Sequence, residues 1–366
     1  MFLNYLKESY IYFLLPMILA VVLVPVIKYL GYKLDVYAHE NQRTVHHGKI
    51  VRIGGVAIFL SFVIFMAYFF IADKTINSIL IGGCIIFFTG LLDDMIDLSP
   101  KTKLLVQTLA ALIAMYYGGI YIDSLNLPFG ITLNMGVLSL LITFFWIVGV
   151  TNAINLIDGL DGLSAGISII VLLTISFLAF MMNRADVSFI SLVLAGAIFG
   201  FWFFNFYPAS IFMGDCGALF IGYNIACLSL LGFKTATLIT LGFPIVILFV
   251  PISDTLMAIL RRKLKGEKFD VADRGHLHHV LMYNLKLGHR NAVLALYLTT
   301  IAFSACAIVS FFNEKIGILL LVLLSILFEI FIEYTGMINP KYQPLFSLSR
   351  SLFGWPKKKE MNKIDQ

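Results

Sequence analysis

The chain has 366 residues and a formal net charge of +5; 60% of the residues are hydrophobic and only 13% charged. That composition excludes a water-soluble globular protein, because so much apolar surface at this length needs lipid to solvate it. The basic residues flank apolar segments and form no long basic face, which argues against nucleic acid as a partner. Cys84, Cys216, Cys227 and Cys306 are too scattered for a disulfide framework or a zinc site and read as small apolar filler.

The apolar segments fall near 10–30, 53–72, 77–92, 104–118, 136–152, 164–182, 189–206, 216–232, 237–260, 292–311 and 316–337. They predict about eleven spanning helices, each close to the ~20 residues that a bilayer requires. The first run is too long for a signal-peptide core and lacks a small-residue cleavage site, so it reads as a retained span. Several later segments are short, which is tolerable beside a water-filled cavity. Length alone suggests two domains, but no polar linker divides the chain. Residues 1–340 therefore read as one membrane-embedded domain, and 341–366 as a basic cytoplasmic tail. Between the fourth and fifth segments, residues 121–127 and 131–135 flank Pro128-Phe129-Gly130 and predict a small β-hairpin near 120–135. Placing the loop after the first span inside gathers Arg43, Arg52, Lys101, Lys103, Arg261–Lys268, Arg274 and Lys357–Lys359 on one side. The positive-inside rule then puts the N-terminus and the hairpin outside and the C-terminus in the cytoplasm. The expected class is an all-α polytopic membrane protein.

The unusual residues lie almost wholly on that inner side. In the first inner loop, Arg43 and His46 are placed to meet a lipid phosphate at the interface, although charges there also set topology. Asp93, Asp94 and Asp97 end an apolar segment and precede Lys103. Three carboxylates in five residues repel one another unless a cation sits among them, so the run suits metal binding, proton abstraction or the organisation of basic partners. Asn152, Asn155, Asp158 and Asp161 recur every third residue, with Gly159 and Gly162 between and after the acids. Amide and carboxylate oxygens are the ligands a hard divalent cation prefers; interhelical hydrogen bonding is the alternative use. Asp215, between Gly214 and Cys216-Gly217 at the head of an apolar segment, suits either a metal ligand or a helix cap. Asp254 follows Pro251 and is placed to shape the cavity floor. His276, His278 and His279 follow Arg274 in a long basic loop and suit phosphate or sugar contacts or proton transfer, with a zinc site as the alternative; the basic run 261–268 suits anionic lipid heads. Glu329 and Glu333, i and i+4 in the last span, are acids without an assigned role.

In combination, Asp-Asp-x-x-Asp at 93–97, Asn-Ala-Ile-Asn-Leu-Ile-Asp-Gly-Leu-Asp-Gly at 152–162, Phe-Met-Gly-Asp at 212–215 and His-Leu-His-His at 276–279 resemble the polyprenyl-phosphate N-acetylhexosamine-1-phosphate transferase family over nearly the whole chain. The histidine segment is similar to the WecA/TagO branch. The phospho-MurNAc-pentapeptide transferase branch carries consecutive histidines followed by Phe-Glu, where this chain has Val280-Leu281. The resemblance implies a membrane enzyme dependent on Mg²⁺ or Mn²⁺. It would move N-acetylglucosamine 1-phosphate from UDP-GlcNAc to undecaprenyl phosphate, releasing UMP, at the cytoplasmic face of a bacterial plasma membrane. It also implies roles: Asn155 and Asp215 at the metal, Asp161 at uracil, Lys103 at the diphosphate, Asp93 and Asp94 beside the attacking phosphate, and Arg274 with the histidines, His279 foremost, near the sugar and its phosphate. Asp97, Asn152 and Asp158 are carried as further substrate-facing positions. Dimerisation is common in the family. A transporter with a midplane ligand site is a competing class, but it predicts repeat symmetry and mid-membrane polar residues that this sequence lacks; a non-catalytic scaffold for envelope assembly would have no requirement for the acids.

Overall fold

The computed structural model describes residues 2–37, 49–69, 73–122, 124–127, 131–233, 242–266, 275–338 and 343–353. The described chain is almost entirely helical. Helices α1 (Phe2–Lys33), α2 (Gly55–Phe69), α3 (Lys74–Ile96) and α4 (Pro100–Leu112, continued by a π-helical turn Ile113–Tyr117) come first. They are followed by strands β1 (Ser124–Leu127) and β2 (Ile131–Asn134), then α5 (Leu138–Leu156), α6 (Leu163–Met181), α7 (Ala185–Asn205) and α8 (Gly214–Phe233). The C-terminal part holds α9 (Gly242–Ile247), α10 (Phe249–Lys265), the short α11 (Leu277–His279, continued by a π-helical turn Val280–Asn284), α12 (Gly288–Phe312), α13 (Glu314–Thr335) and α14 (Pro344–Phe353).

Helix α8 is the axis of the bundle. Its apolar window is 100% buried, against 17% for α13, so α8 is enclosed by other helices while α13 offers most of its surface to lipid. Around α8 pack α2, α3, α5 and α6; α1 and α7 form a second layer against α6 and α2, and α12 joins α6 to α13. Small residues permit the closest approach: a Cβ on Gly90 of α3 would stand 2.6 Å from the Cα of Cys216 in α8. These contacts bring the end of α3 against the start of α8, where the site lies.

Eight described helices are long and apolar enough to cross a membrane, and the 15-residue α2 is a shorter apolar helix. With α4 and its π turn this makes eight to ten candidate spans, fewer than the eleven expected. The segment at 237–260 accounts for much of the difference. Within its described part the helix breaks at Leu248, because the Pro251 ring cannot accommodate the carbonyl of Ile247 four residues back. The following α10 is no uniform span either: it ends in Arg262, Lys263 and Lys265.

Strands β1 and β2 pair antiparallel, with Ser124 opposite Asn134 and Leu127 opposite Ile131; their connection, residues 128–130, lies outside the described residues. Beyond α13, residues 344–353 form a helix, so the segment read as a tail begins with ordered structure. Glu333 is 1% exposed, and its two carboxylate oxygens accept the Leu345 and Phe346 N–H groups at 2.5 and 2.8 Å. That gives one of the two unassigned acids a role as the cap of α14.

Candidate active site

The last turn of α3 presents Asp93 and Asp94 side by side in sequence but about 100° apart around the helix, so they meet different neighbours. Asp93 faces α4. Its Oδ1 accepts the Leu98 N–H at 2.7 Å, and its Oδ2 lies 2.5 Å from Lys103 Nζ. The same ammonium stands 2.7 Å from Asp215 Oδ2 in the first turn of α8. One cation therefore bridges two carboxylates from two helices. Asp94 faces α8 and Arg52: its oxygens accept the Asp215 and Cys216 N–H groups, both at 3.0 Å, and Arg52 Nε at 3.1 Å. Asp97 turns away. It sits at φ +50°, its side chain is 90% exposed, and Arg52 is 3.9 Å off.

Residues 51–55 brace this corner from outside. The Phe212 N–H donates to Val51 O at 2.8 Å, Gly54 N–H to Phe212 O at 2.9 Å and Gly55 N–H to Met213 O at 2.8 Å. Gly214 is required where it stands: its φ is +75°, and a Cβ there would lie 1.9 Å from Arg52 O.

A second wall comes from the loop between α5 and α6. Asn152 exchanges hydrogen bonds with Gln107 of α4 at 2.7 and 3.2 Å, so its amide ties two helices together and is not directed at a ligand. Asn155 and Asp158 are half-buried. Burial, with the charges of Asp215, Asp94 and Asp161 nearby, pushes the Asp158 carboxyl up to about 8. Asp161 is buried; its Oδ2 accepts the Ala209 N–H at 2.9 Å and its own N–H donates to His289 Nε2 at 3.0 Å. His289 stacks on Tyr207 with ring centroids 4.4 Å apart, and Tyr207 is 44% exposed. Asn205 Oδ1 accepts the Gly162 N–H at 3.0 Å. The loop 158–162 is thus pinned to the loop 205–211.

The third wall is the histidine segment. Asp254 of α10 accepts from His276 Nδ1 and from the Leu277 N–H, both at 2.8 Å, which fixes α11 on α10. His278 is 2% exposed and lies so close to Gly159 that a Cβ there would stand 2.5 Å from its Nε2. Burial first, then the charge of His279, pushes the His278 imidazole down to about 3, so it is neutral at physiological pH. His279 is half-buried and stacks toward Tyr283. In α10, Arg261 and Arg262 are buried, and Arg262 Nε has no hydrogen-bond partner among the described residues.

Asp93, Lys103 and Asp215 are therefore in direct contact; Asp158 lies within the field of Asp215, and His278 touches the loop that carries Asp158. Asp97 and Asn152 point elsewhere, while Arg43, His46 and Arg274 lie outside the described residues. Five contributors went unassigned in the sequence. Arg52 looked like a topology charge and Arg261 and Arg262 like a lipid-binding run; burial is what distinguishes them. Gln107 carried a usable signal, one helical turn beyond Lys103. His289, a lone histidine at a helix start, carried none.

The donor set fits a divalent metal. Asp93 and Asp215 present hard carboxylate oxygens with Lys103 between them as a cation would stand, and Asp158 lies within the field of Asp215. Among the described residues no three carboxylate, histidine or cysteine groups close into a complete ligand set. Mg²⁺ commonly takes only one or two protein carboxylates, completing its shell with water and substrate phosphates.

A profile described as Glycosyl transferase family 4 matches residues 76–233, the stretch from α3 through α8. A probable undecaprenyl-phosphate N-acetylglucosaminyl 1-phosphate transferase of Bacillus subtilis is 39% identical over 344 residues, covering 93% of this chain and 96% of that protein. A decaprenyl-phosphate N-acetylglucosaminephosphotransferase of Mycobacterium tuberculosis is 34% identical over 79% of each chain. A phospho-N-acetylmuramoyl-pentapeptide-transferase of Streptococcus uberis is 34% identical over 64% of this chain and 72% of its own.

Proposed function

Because the chain belongs to glycosyl transferase family 4, as a phosphoglycosyl transferase, we propose that this pocket moves N-acetylglucosamine 1-phosphate from UDP-GlcNAc to undecaprenyl phosphate and releases UMP. The positive-inside distribution of Lys and Arg supports a site open to the cytoplasm, where the nucleotide sugar is dissolved. The lipid-linked product would begin an envelope polysaccharide such as teichoic acid, O-antigen or common antigen.

The Asp93–Lys103–Asp215 bridge carries the mechanistic reading. Asp215 and Asn155 would hold Mg²⁺ or Mn²⁺, which when bound neutralises diphosphate oxygens and stabilises the departing UMP. Lys103 is placed to turn its ammonium from the carboxylates to the diphosphate. The lipid phosphate, with a second pKa near 6, is already largely dianionic at neutral pH. Asp93 therefore has no proton to remove, and with both oxygens engaged its task is to orient the nucleophile. One oxygen of the lipid phosphate attacks the sugar-bearing phosphorus as the bond to UMP breaks, in a single in-line displacement. Asp161, His289 and Tyr207 form one polar-aromatic corner for uracil. His278, neutral and packed on Gly159, holds the histidine segment against that wall, and His276, His279 and Arg274 are assigned to the sugar and its phosphate. Arg43 and His46 are assigned to the lipid phosphate at the interface.

The phospho-MurNAc-pentapeptide reading is the weaker one, since Val280-Leu281 follow His279 and that relative covers less of the chain. Purified protein supplied with undecaprenyl phosphate and a panel of UDP-sugars should release UMP with UDP-GlcNAc and Mg²⁺ and form undecaprenyl-pyrophosphoryl-GlcNAc. Turnover of UDP-MurNAc-pentapeptide instead would overturn the assignment. Recovery of a labelled phospho-enzyme in the absence of lipid would replace the single displacement with a covalent route.

A further inference from the structure

Asp94 is more fully engaged than Asp93, which meets one backbone N–H and one ammonium. Its side chain is 0% exposed. Oδ1 accepts the Asp215 N–H at 3.0 Å and two Arg52 nitrogens at 3.1 Å, and Oδ2 accepts the Cys216 N–H at 3.0 Å. A carboxylate with both oxygens so engaged keeps little capacity for a metal or a transferred proton. It closes the open N–H groups of the first turn of α8, doing from a neighbouring helix what an N-cap residue does locally. Arg52 supplies the counter-charge, and its backbone is packed on Gly214, immediately before Asp215.

We propose that Arg52, acting through Asp94, is the positioning residue that fixes the first turn of α8 and so aims the Asp215 carboxylate at the metal. This rests on the reading of Asp215 as a metal ligand. Three links carry it: guanidinium to Asp94, Asp94 to the Asp215 and Cys216 N–H groups, and that turn to the Asp215 side chain. Without Arg52, Asp94 is a buried charge lacking its partner; it must take up a proton or turn away, and either change releases the Asp215 N–H.

The test compares wild type with R52A, R52K, D94N and R52A/D94N. Metal affinity is read from the rise in thermal stability on adding Mn²⁺ or Mg²⁺, and separately from the metal concentration giving half-maximal UMP release. Loss of a group that orients a metal ligand typically weakens affinity about 10–100-fold. R52A and D94N should each show a fall of that order, and in R52A the rate at saturating metal and the KM for the lipid phosphate should change far less. R52K should recover part of the loss, and the double variant should be no worse than either single one. Two results overturn the proposal: metal affinity unchanged in R52A and R52K, or D94N inactive at every metal concentration beside a normal R52A. Where R52A fails to fold in detergent, R52K and R52Q carry the comparison. If wild type released no UMP the functional reading would fall, while the stability titration would still decide the role of Arg52.

Discussion

Replacing Lys103 with Met tests whether the carboxylates form a cation site. The substitution keeps most of the side-chain volume and removes a charge lying 2.5 Å from Asp93 and 2.7 Å from Asp215. Any two like charges about 4 Å apart at an effective dielectric near 20 repel by roughly 4 kcal/mol, which sets the upper scale for Asp93 and Asp215 without the ammonium between them. The Lys103 and Asp215 side chains are 24% and 25% exposed, so water screens part of this. A net loss of about 1–3 kcal/mol is the reasonable scale. The assay is thermal unfolding in detergent, with EDTA and with saturating Mg²⁺. In EDTA the variant should melt a few degrees below wild type. In Mg²⁺ the gap should narrow, because a divalent ion can take the ammonium's place. Transferase activity should stay low in both, since the diphosphate has lost its lysine. An equal melting deficit with and without Mg²⁺ would refute the argument that these acids form a metal site.

The remaining predictions concern the walls around that centre. His278 titrates near 3 in the folded chain against 6.5 for a free imidazole, so the unfolded state binds the extra proton between those values. Stability should therefore be lost as pH falls from about 6.5 toward 3, and His278→Gln should flatten that slope in thermal unfolding; a slope unchanged by the substitution would show that another group titrates. Gly159→Ala places a methyl 2.5 Å from His278 Nε2 and should weaken turnover by displacing the histidine segment. Adding His278→Ala should relieve the clash, so the pair will not combine additively; simple addition of the two losses would mean that the walls do not touch. Glu333→Ala removes both oxygens that cap α14 and should cost about 1 kcal/mol locally, seen as faster proteolysis after Thr335 with little change in transferase rate.

Much of the site was legible because its chemistry is concentrated. Adjacent aspartates at the end of an apolar helix, amides and acids every third residue, and an aspartate among glycines each violate what lipid tolerates unless a polar site gathers them. Which member faces the site was not legible. Asp93 and Asp94 are adjacent, and only the placement of α8 sends one to Lys103 and the other to Arg52. Asn152 and Asn155 share a stripe, and only the position of Gln107 shows that the first is taken up between helices. The span count was overestimated at 237–260 because apolar content was weighed above Pro251, whose ring dictates the break at Leu248. Asp254 was expected at the cavity floor, and its actual partner, His276, lies 22 residues away in a separate segment that no periodicity links to it. Arg261 and Arg262 read as headgroup contacts because charge runs beside spans usually are; instead both are buried, with the Arg261 guanidinium close against Gly275.

Counting bound Mn²⁺ on the purified chain in the presence of UDP-GlcNAc tests most directly whether these carboxylates centre on a catalytic cation. Wild type should bind one ion per chain, Asp215→Ala should lose it together with UMP release while its helical content and melting behaviour persist, and Asp97→Asn should keep both. Undiminished Mn²⁺ binding and UMP release in a folded Asp215→Ala would contradict the account.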